Sequence, residues 1–429
     1  MESLRLFSII IALSAVLAFI NVRFIKLPAT IGLMVLALIL SLGILLAGTV
    51  APEMVNFLRE VLVEVDFSEF LLDIMLGFLL FAGALHTDIK KLHQARLPII
   101  TFATLGTLIS TFLIGTILFY ILPFLYQEVA YIHCLLFGAL ISPTDPIAVL
   151  SILKKTGVSE EVETNITGES LFNDGVGVVV FLSILSIAKE GMAEVTTSEI
   201  GVLLLQEVGG GILLGVLLGY VGYKMMKAID HYQTEVLISL ALVMGGSAIA
   251  PLFHFSGPLA MVVAGLFIGN RGVEYAMSKI TTDYIHKFWE MLDEIMNAIL
   301  FVLIGLELVL VPFHRSYIYV GLLVIVLLLL VRWVSLMVPA LLFKFKHRFP
   351  AKTLLIMTWG GLRGGISIAL ALSLTAAMER NLLVSLTYMV VLFSIIVQGL
   401  SLSKLVKALH PASKELEEEL DLNGQTNAH

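Results

Sequence analysis

The sequence predicts an all-α polytopic membrane protein with about thirteen transmembrane helices, and three observations support this. The first is composition: 59% of the 429 residues are hydrophobic and 14% are charged. A soluble chain carries about 25% charged residues, and the mean hydropathy here is +1.00. The second is a series of apolar runs long enough to cross a bilayer. The third is that basic residues are concentrated in every second connection between these runs.

A membrane-spanning helix needs about 20 predominantly apolar residues. By that measure the candidate spans, numbered 1 to 13 in chain order, are 5–22, 28–48, 68–87, 97–122, 129–153, 162–188, 199–223, 233–252, 255–270, 288–312, 316–343, 351–376 and 383–406. Pro251, Gly257 and Pro258 lie between spans 8 and 9, so these two runs also fit a re-entrant hairpin.

The basic residues test this count, because cytoplasmic connections carry an excess of lysine and arginine. Nineteen of the 26 lie in every second connection or at the C-terminal end, and five lie in the others. Arg332 and Arg363 fall inside spans. The pattern predicts an external N-terminus and a cytoplasmic C-terminus, and the short loops predict a prokaryotic plasma (inner) membrane. The charged residues behind the net charge of −7 are distributed by loop according to the side of the membrane. They therefore do not indicate a nucleic-acid partner, and none is expected.

Span 5 is interrupted by Pro143-Thr144-Asp145-Pro146. Each proline removes a backbone donor, which leaves nearby carbonyls unpaired. Irregular backbone at membrane depth is tolerated only where protein buries it or where it lines a water-filled cavity. An ionisable group there indicates function. We therefore expect one wall of an ion site at Asp145.

Span 6 carries the second wall, formed by Glu169, Ser170, Asn173 and Asp174. The i, i+4 spacing places these side chains on about one third of the helix circumference. Carboxylate, hydroxyl and amide oxygens suit a hard monovalent cation. Because burial disfavours the charged form of a carboxyl group, Asp174 is expected to hold either a proton or a cation. A polar network that only joins helices remains the alternative for these residues.

Span 12 carries four glycines around Arg363, in the order Gly360-Gly361-Leu362-Arg363-Gly364-Gly365. This composition predicts a broken helix whose backbone other elements approach closely. A lone buried arginine needs a partner, and Glu169 is the predicted one. Arg332 in span 11 is expected to be structural, with Glu307 or a helix C-terminus as its partner.

Spans 5 and 12 cross the membrane in opposite directions, because they are seven spans apart. Interrupted helices at matching positions of two inverted halves indicate the site of a secondary transporter. On this interpretation spans 1–6 and 8–13 form two inverted repeats.

Two further features are interpreted as helix packing and as a funnel lining, without a direct role in ion binding. Gly209, Gly211, Gly215 and Gly219 form a stripe on span 7 that permits close helix packing, within one chain or between two. Asp293, Glu294 and Asn297 open span 10 and are expected to line a funnel near the cytoplasm rather than to bind an ion directly.

These residues resemble the NhaP/NHE type of monovalent cation/proton antiporter. The matching motifs are SPTDP (142–146), GESLFNDG (168–175), SGPLAMVVAGLFIGN (256–270), FWEMLDEIMNAILFVLIG (288–305) and GGLRGGIS (360–367). The resemblance implies unwound, crossed helices in spans 5 and 12. It also implies a dimerisation domain from residues 1–96 and 191–315, a core ion-transport domain from 97–190 and 316–410, and a short cytoplasmic tail at 411–429.

The resemblance further implies a set of site residues. The ion ligands map onto Asp174, the Ser170 hydroxyl, the Thr144 main-chain carbonyl and, through water, Asp145. Asn173 is the asparagine before the functional aspartate, and Glu169 with Arg363 is the structural ion pair.

A homodimer working by elevator-type alternating access is implied as well. It would exchange Na⁺, Li⁺ or K⁺ for H⁺, one for one, across the lipid bilayer without a cofactor. The chain departs from several relatives at Ala82, where they carry an acid.

Three alternatives differ from this interpretation in substrate or in class of protein. A potassium/proton antiporter of the same family differs only in the size of its ion site. An intramembrane aspartic protease needs two carboxylates sharing a proton at close range, and the chain has no Gly-x-Gly-Asp motif. An ion channel is disfavoured, because no repeated carbonyl-rich loop resembles a selectivity filter.

Overall fold

The computed structural model of the chain describes residues 2–47, 70–145, 149, 153, 160–190, 197–311, 314–343 and 349–409. No strand occurs among these residues, so the predicted all-helical fold is confirmed for this part of the chain. The second half of span 5 beyond Asp145 and the tail at 411–429 lie largely or wholly outside the described residues.

The helices of the described residues follow one another in chain order. They are α1 (Glu2–Ile20), α2 (Ala29–Ala47), α3 (Leu76–Leu85), α4 (Ile89–Gln94), α5 (Arg96–Thr101), α6 (Thr107–Leu125), α7 (Tyr131–Ile141), α8 (Glu160–Glu190), α9 (Thr197–Lys227), α10 (Tyr232–Ile249), α11 (Gly257–Phe267), α12 (Val273–Tyr275), α13 (Lys279–Glu307), α14 (Arg315–Leu342), α15 (Ala351–Trp359), α16 (Gly365–Leu372), α17 (Arg380–Phe393) and α18 (Gly399–Leu409).

Wider π turns and two short 3₁₀ turns extend or connect several of these helices. The π turns are Asn21–Ile25, Phe70–Met75, Phe102–Gly106, Ile268–Gly272 and Ser394–Gln398, and the 3₁₀ turns are Ala250–Phe253 and Ala376–Met378. Two of the π turns join α5 to α6 and α17 to α18 into continuous apolar rods of 30 residues each, which is long enough to cross a bilayer with tilt.

Each predicted span overlaps at least one of these helices. Within the described residues, eight helices are long and apolar enough to cross a membrane, and Leu76–Leu85 and Tyr131–Ile141 are shorter apolar helices. The total of thirteen spans stays a prediction. Spans 8 and 9 correspond to two separate helices, α10 and α11, and α11 continues through its π turn into α12.

The glycine stripe on α9 packs within the chain. A Cβ at Gly215 would lie 2.5 Å from the Ala260 carbonyl oxygen, and one at Gly211 would lie 2.8 Å from the Ser256 carbonyl oxygen. Both contacts are with α11 or the residue before it. At Gly209 the nearest atom is 4.0 Å away and belongs to α9 itself. Three members of the stripe thus allow α9 and α11 to approach closely, and Gly209 does not take part.

The apolar core has two parts. The larger joins α1–α8 to α11 and α13–α18, and the smaller surrounds Trp289 where α3, α9, α10, α11 and α13 meet. The Trp289 indole donates to Ser239 Oγ at 2.9 Å. Ala82, where the resemblance leads us to expect a departure from several relatives, is 2% exposed and belongs to the smaller part.

Two helices are interrupted inside the larger core. Helix α7 ends at Ile141 and is followed by non-helical backbone to Asp145; α15 ends at Trp359, and α16 begins only at Gly365. Prolines break the first helix by removing donors, and glycines break the second by favouring non-helical backbone. The predicted unwinding of spans 5 and 12 is therefore observed.

Candidate functional site

The two interrupted helices meet where they unwind. The backbone N–H of Asp145 donates to the Leu362 carbonyl oxygen at 2.8 Å. Gly364 lies directly against the Asp145 carboxylate, because a Cβ at position 364 would be 2.5 Å from Oδ2. Only a residue without a side chain allows this approach. The crossing therefore brings Asp145 beside the loop that contains Arg363.

Thr144 is held against α8 by a network of side chains. Its backbone N–H donates to Asn173 Oδ1 at 3.3 Å, and Asn173 Nδ2 donates to Thr144 Oγ1 at 2.8 Å. The same threonine hydroxyl lies 3.1 Å from Ser170 Oγ. All three side chains are at least 97% buried. The structure thus brings together Thr144, Ser170 and Asn173.

Asp174 follows Asn173 on α8 and is 6% exposed. Its carboxylate makes no hydrogen bond within the part of the chain that the structure describes. The charged groups that act on it are Asp145 and Arg363. A largely buried carboxylate with free lone pairs, on which one acid and one base act, can bind either a proton or a small cation.

Arg363 satisfies the backbone that the prolines leave unpaired. Its Nη1 donates to the carbonyl oxygens of Ser142 and Pro143, each at 2.9 Å. The Ser142 carbonyl would accept from residue 146 in an intact helix, but residue 146 is a proline without an N–H. The guanidinium therefore caps the C-terminal end of α7, where the helix dipole is negative.

Glu169 pairs with Arg332, and this corrects the predicted partner. Arg332 Nη1 on α14 lies 2.6 Å from Glu169 Oε1, and the two side chains are 6% and 1% exposed. Arg363 is within electrostatic range of Glu169 but makes its hydrogen bonds to carbonyls. Glu307, the partner suggested for Arg332, is buried elsewhere, near Arg380 and Tyr388. The pairing depends on how α14 is rotated, which the spacing of apolar residues does not determine.

Sequence reasoning also missed polar side chains that support the break. Thr111 on α6 donates to the Ser142 hydroxyl at 3.3 Å, and that hydroxyl donates to the Gly138 carbonyl at 2.6 Å. The Ser394 hydroxyl accepts the backbone N–H of Arg363 at 2.9 Å. The available signal was a polar residue inside an otherwise apolar span, but many such residues bond only to their own helix.

A small cavity of about 20 Å³ lies behind the break, between α14 and α17. Arg332 and Arg363 line it together with Thr358 and Gln398. Arg332 Nε is buried and has no hydrogen-bond partner within the described residues. A Cβ at Gly361 would lie 2.8 Å from that nitrogen, so a glycine is needed there to make room for the guanidinium.

Interrupted helices that meet beside buried charges are the arrangement of secondary transporters. The long apolar helices make the chain an integral membrane protein. The chain belongs to the sodium/hydrogen exchanger family: the family model described as "Sodium/hydrogen exchanger, transmembrane" matches residues 9–408. The family resemblance of the motifs is thereby confirmed. Because this is a family of transporters, the protease alternative is set aside.

Similar proteins cover nearly the whole chain. It is 49% identical to the Na⁺/H⁺ antiporter NhaP of Pseudomonas aeruginosa, over 95% of this chain and 97% of that protein. It is 35% identical to the Na⁺/H⁺ antiporter NhaH of Halobacillus dabanensis, over 90% and 93%. The solved structure of the sodium proton antiporter MjNhaP1 from Methanocaldococcus jannaschii matches with a TM-score of 0.75 and 22% identity, over 95% and 99%. The last comparison shows the fold.

Proposed function

We propose that the protein exchanges Na⁺ for H⁺ across the membrane. One observation carries the proposal: Asp174 is a buried carboxylate without a hydrogen bond among the described residues, beside the crossing of two broken helices. Such a group is able to bind a proton or a cation, but not both together. The relatives named as Na⁺/H⁺ antiporters support sodium as the cation.

The cation is coordinated by oxygen atoms around Asp174. The Ser170 hydroxyl and the Thr144 main-chain carbonyl complete the first ligands, and Asp145 contributes through water. Asn173 positions Thr144 through its two hydrogen bonds. Oxygen ligands of this kind suit a small hard cation. Glu169 has a structural role, because its charge is matched by Arg332.

One Asp174 carboxylate that binds either ion predicts an exchange of one Na⁺ for one H⁺. The resemblance of Asn173 to the family's asparagine before the functional aspartate implies that the exchange is electroneutral. The dimerisation domain (residues 1–96 and 191–315) stays fixed in a homodimer, and the core domain (97–190 and 316–410) carries the site across the membrane. The N-terminus is outside, and the C-terminus is on the cytoplasmic side of a prokaryotic inner membrane.

The test is cation-induced dequenching of a pH-sensitive dye in everted vesicles from cells that lack other antiporters. Wild type should respond to Na⁺, and Asp174→Asn should abolish the response. Asp230→Asn removes an exposed acid and is the matched control, with the response of wild type. Exchange that survives in Asp174→Asn would contradict the proposal.

Two further measurements test which cation is exchanged and whether the exchange is electroneutral. A response to K⁺ with none to Na⁺ would favour the potassium/proton antiporter instead. Collapsing the membrane potential with an ionophore should leave the exchange rate unchanged. A rate that changes with the potential would contradict electroneutral exchange while leaving the antiport itself intact.

A further inference from the structure

Helix α11 and the π turn that extends it pack tightly against α3, and two glycines allow this contact. A Cβ at Gly265 would lie 2.6 Å from the Phe81 carbonyl oxygen, and a Cβ at Gly269 would overlap the Leu85 carbonyl oxygen. Small residues spaced by four bring two helix backbones into direct contact. The C-terminal end of α3 is therefore held closely against α11.

The next residue, Asn270, binds the backbone where α3 gives way to α4. Its Oδ1 accepts the backbone N–H of Ile89 at 2.9 Å, and its Nδ2 donates to the Thr87 carbonyl oxygen at 3.0 Å. Nδ2 also donates to the Leu266 carbonyl oxygen of α11 at 2.9 Å. Both donors and the oxygen of the amide are thus bonded to backbone. The side chain fastens the junction between α3 and α4 to α11.

This junction is a short non-helical stretch between two helical segments. Asp88 is extended, with φ −75° and ψ 113°. Beyond it the helical hydrogen bonds continue across the end of α4, because Ala95 donates to the Lys91 carbonyl at 3.2 Å and Ile99 donates to the Ala95 carbonyl at 3.1 Å. Helices α4 and α5 therefore form one rod. A few residues at the end of such an element absorb the dihedral change of a hinge motion.

The rod of α4 and α5 is attached to α8. A Cβ at Gly168 would lie 2.8 Å from Leu92 Cδ2 and 2.6 Å from Ile99 Cδ1. Leu92 and Ile99 are 6% and 1% exposed. Lys91 also forms an ion pair with Glu160 at the start of α8. Helix α8 belongs to the proposed core domain and α11 to the proposed dimerisation domain, so the junction lies where the chain passes from one to the other.

We propose that Asn270 is a positioning residue for transport, whose amide holds the pivot at which the core domain turns. The inference rests on the proposed function, because it requires a core domain that moves. A hydrogen bond tolerates a change in angle of about 30° before it weakens. The contacts of Asn270 therefore let the rod tilt about its first N–H but prevent it from sliding along α11. The boundary between the two domains then lies at Thr87 and Asp88 rather than at residue 96.

The test compares the maximal rate of Na⁺/H⁺ exchange in everted vesicles with equilibrium binding of radioactive Na⁺ to the purified protein. Asn270→Ala removes both bonds to the junction and should lower the maximal rate about fivefold or more. Binding of Na⁺ should stay unchanged, because the proposed ion ligands lie on other elements. Glu274→Gln is the matched control: it breaks an exposed ion pair with Lys90 of the same rod and should exchange at the wild-type rate.

A backbone variant isolates the bond to α4. Ile89 is the first residue of this helix, a position that tolerates proline because the helix does not need its N–H. Ile89→Pro removes the donor to Asn270 and should lower the maximal rate. Ile89→Ala keeps that donor, shortens an exposed side chain and should behave as wild type. Because Ile89→Pro and Asn270→Ala remove the same bond, the double variant should be no slower than Asn270→Ala alone.

Protein level and thermal unfolding in detergent show whether each variant folds; if Asn270→Ala does not fold, the two Ile89 variants carry the test. A wild-type rate in Asn270→Ala or in Ile89→Pro, a loss of Na⁺ binding as large as the loss of rate, or losses that multiply in the double variant would overturn the pivot. Absence of exchange in wild type would instead overturn the proposed function.

Discussion

The guanidinium of Arg332 on α14 lies 2.6 Å from the carboxylate of Glu169 on α8, with both side chains almost completely buried. This pair joins two helices of the larger core next to the residues that surround Asp174. Arg363 is left free to bind the carbonyls of the broken helix α7. The two arginines of the site thus have different tasks, and each task can be tested separately.

Breaking the ion pair should destabilise the protein. Glu169→Gln leaves the buried Arg332 without its charge partner, which typically costs about 3–5 kcal/mol. The measurement is unfolding of the purified protein in detergent by heat and by denaturant. Glu160→Gln is the control, because it breaks an exposed ion pair with Lys91; exposed pairs contribute little to stability. Equal stability of the two variants would contradict a structural role for Glu169.

Removing the Thr144 hydroxyl should weaken cation binding. Thr144→Val keeps the shape of the side chain but leaves Asn173 Nδ2 and Ser170 Oγ without their shared partner. Loss of such a buried bond costs about 1–3 kcal/mol, so apparent affinity for Na⁺ should fall about tenfold or more. Thr167→Val is the control, because that hydroxyl bonds only to its own helix at Glu163. A wild-type KM in Thr144→Val would show that the network does not position the site.

A methyl group at position 364 should disrupt the crossing. The new Cβ would lie 2.5 Å from Asp145 Oδ2, so the carboxylate or the loop has to move. Because about 1 Å of misplacement in a site can cost about 10²-fold in rate, Gly364→Ala should lower exchange by a similar factor. Gly245→Ala on α10 is the control, since nothing lies within 4 Å of its Cβ position. Unchanged exchange in Gly364→Ala would contradict the close contact.

The glycine stripe offers a test of packing within the chain. Gly215→Ala forces α9 away from Ala260 on α11, and such overpacking costs about 1–3 kcal/mol. Thermal unfolding of the purified protein should show the loss. Gly209→Ala places its Cβ 4.0 Å from the nearest atom, Leu205 Cδ1 on the same helix, and should remain as stable as wild type. If both variants unfold at the wild-type temperature and only the dimer dissociates, the stripe acts between two chains rather than within one.

The sequence by itself determined the fold class and most of the residues that meet at the crossing of the two broken helices. A run of about 20 apolar residues can bury its backbone polar groups in lipid only as a helix, so composition and spacing were enough to predict the helices. Prolines at 143 and 146 and glycines around Arg363 marked both breaks, because these residue types disfavour continuous helix wherever they stand. The clustering of Ser170, Asn173 and Asp174 followed from the helical period alone.

Only the tertiary structure decided which charges pair and which polar atoms stay unpartnered. The choice of Arg332 over Arg363 for Glu169 depends on the rotation of α14 about its axis, and lipid-facing and protein-facing sides of such a helix are almost equally apolar. The packing of the glycine stripe on α11 and the contacts of the Asn270 amide have the same origin. Apolar periodicity specifies that a helix forms, whereas its neighbours and its angle arise from side-chain contacts among all the helices together.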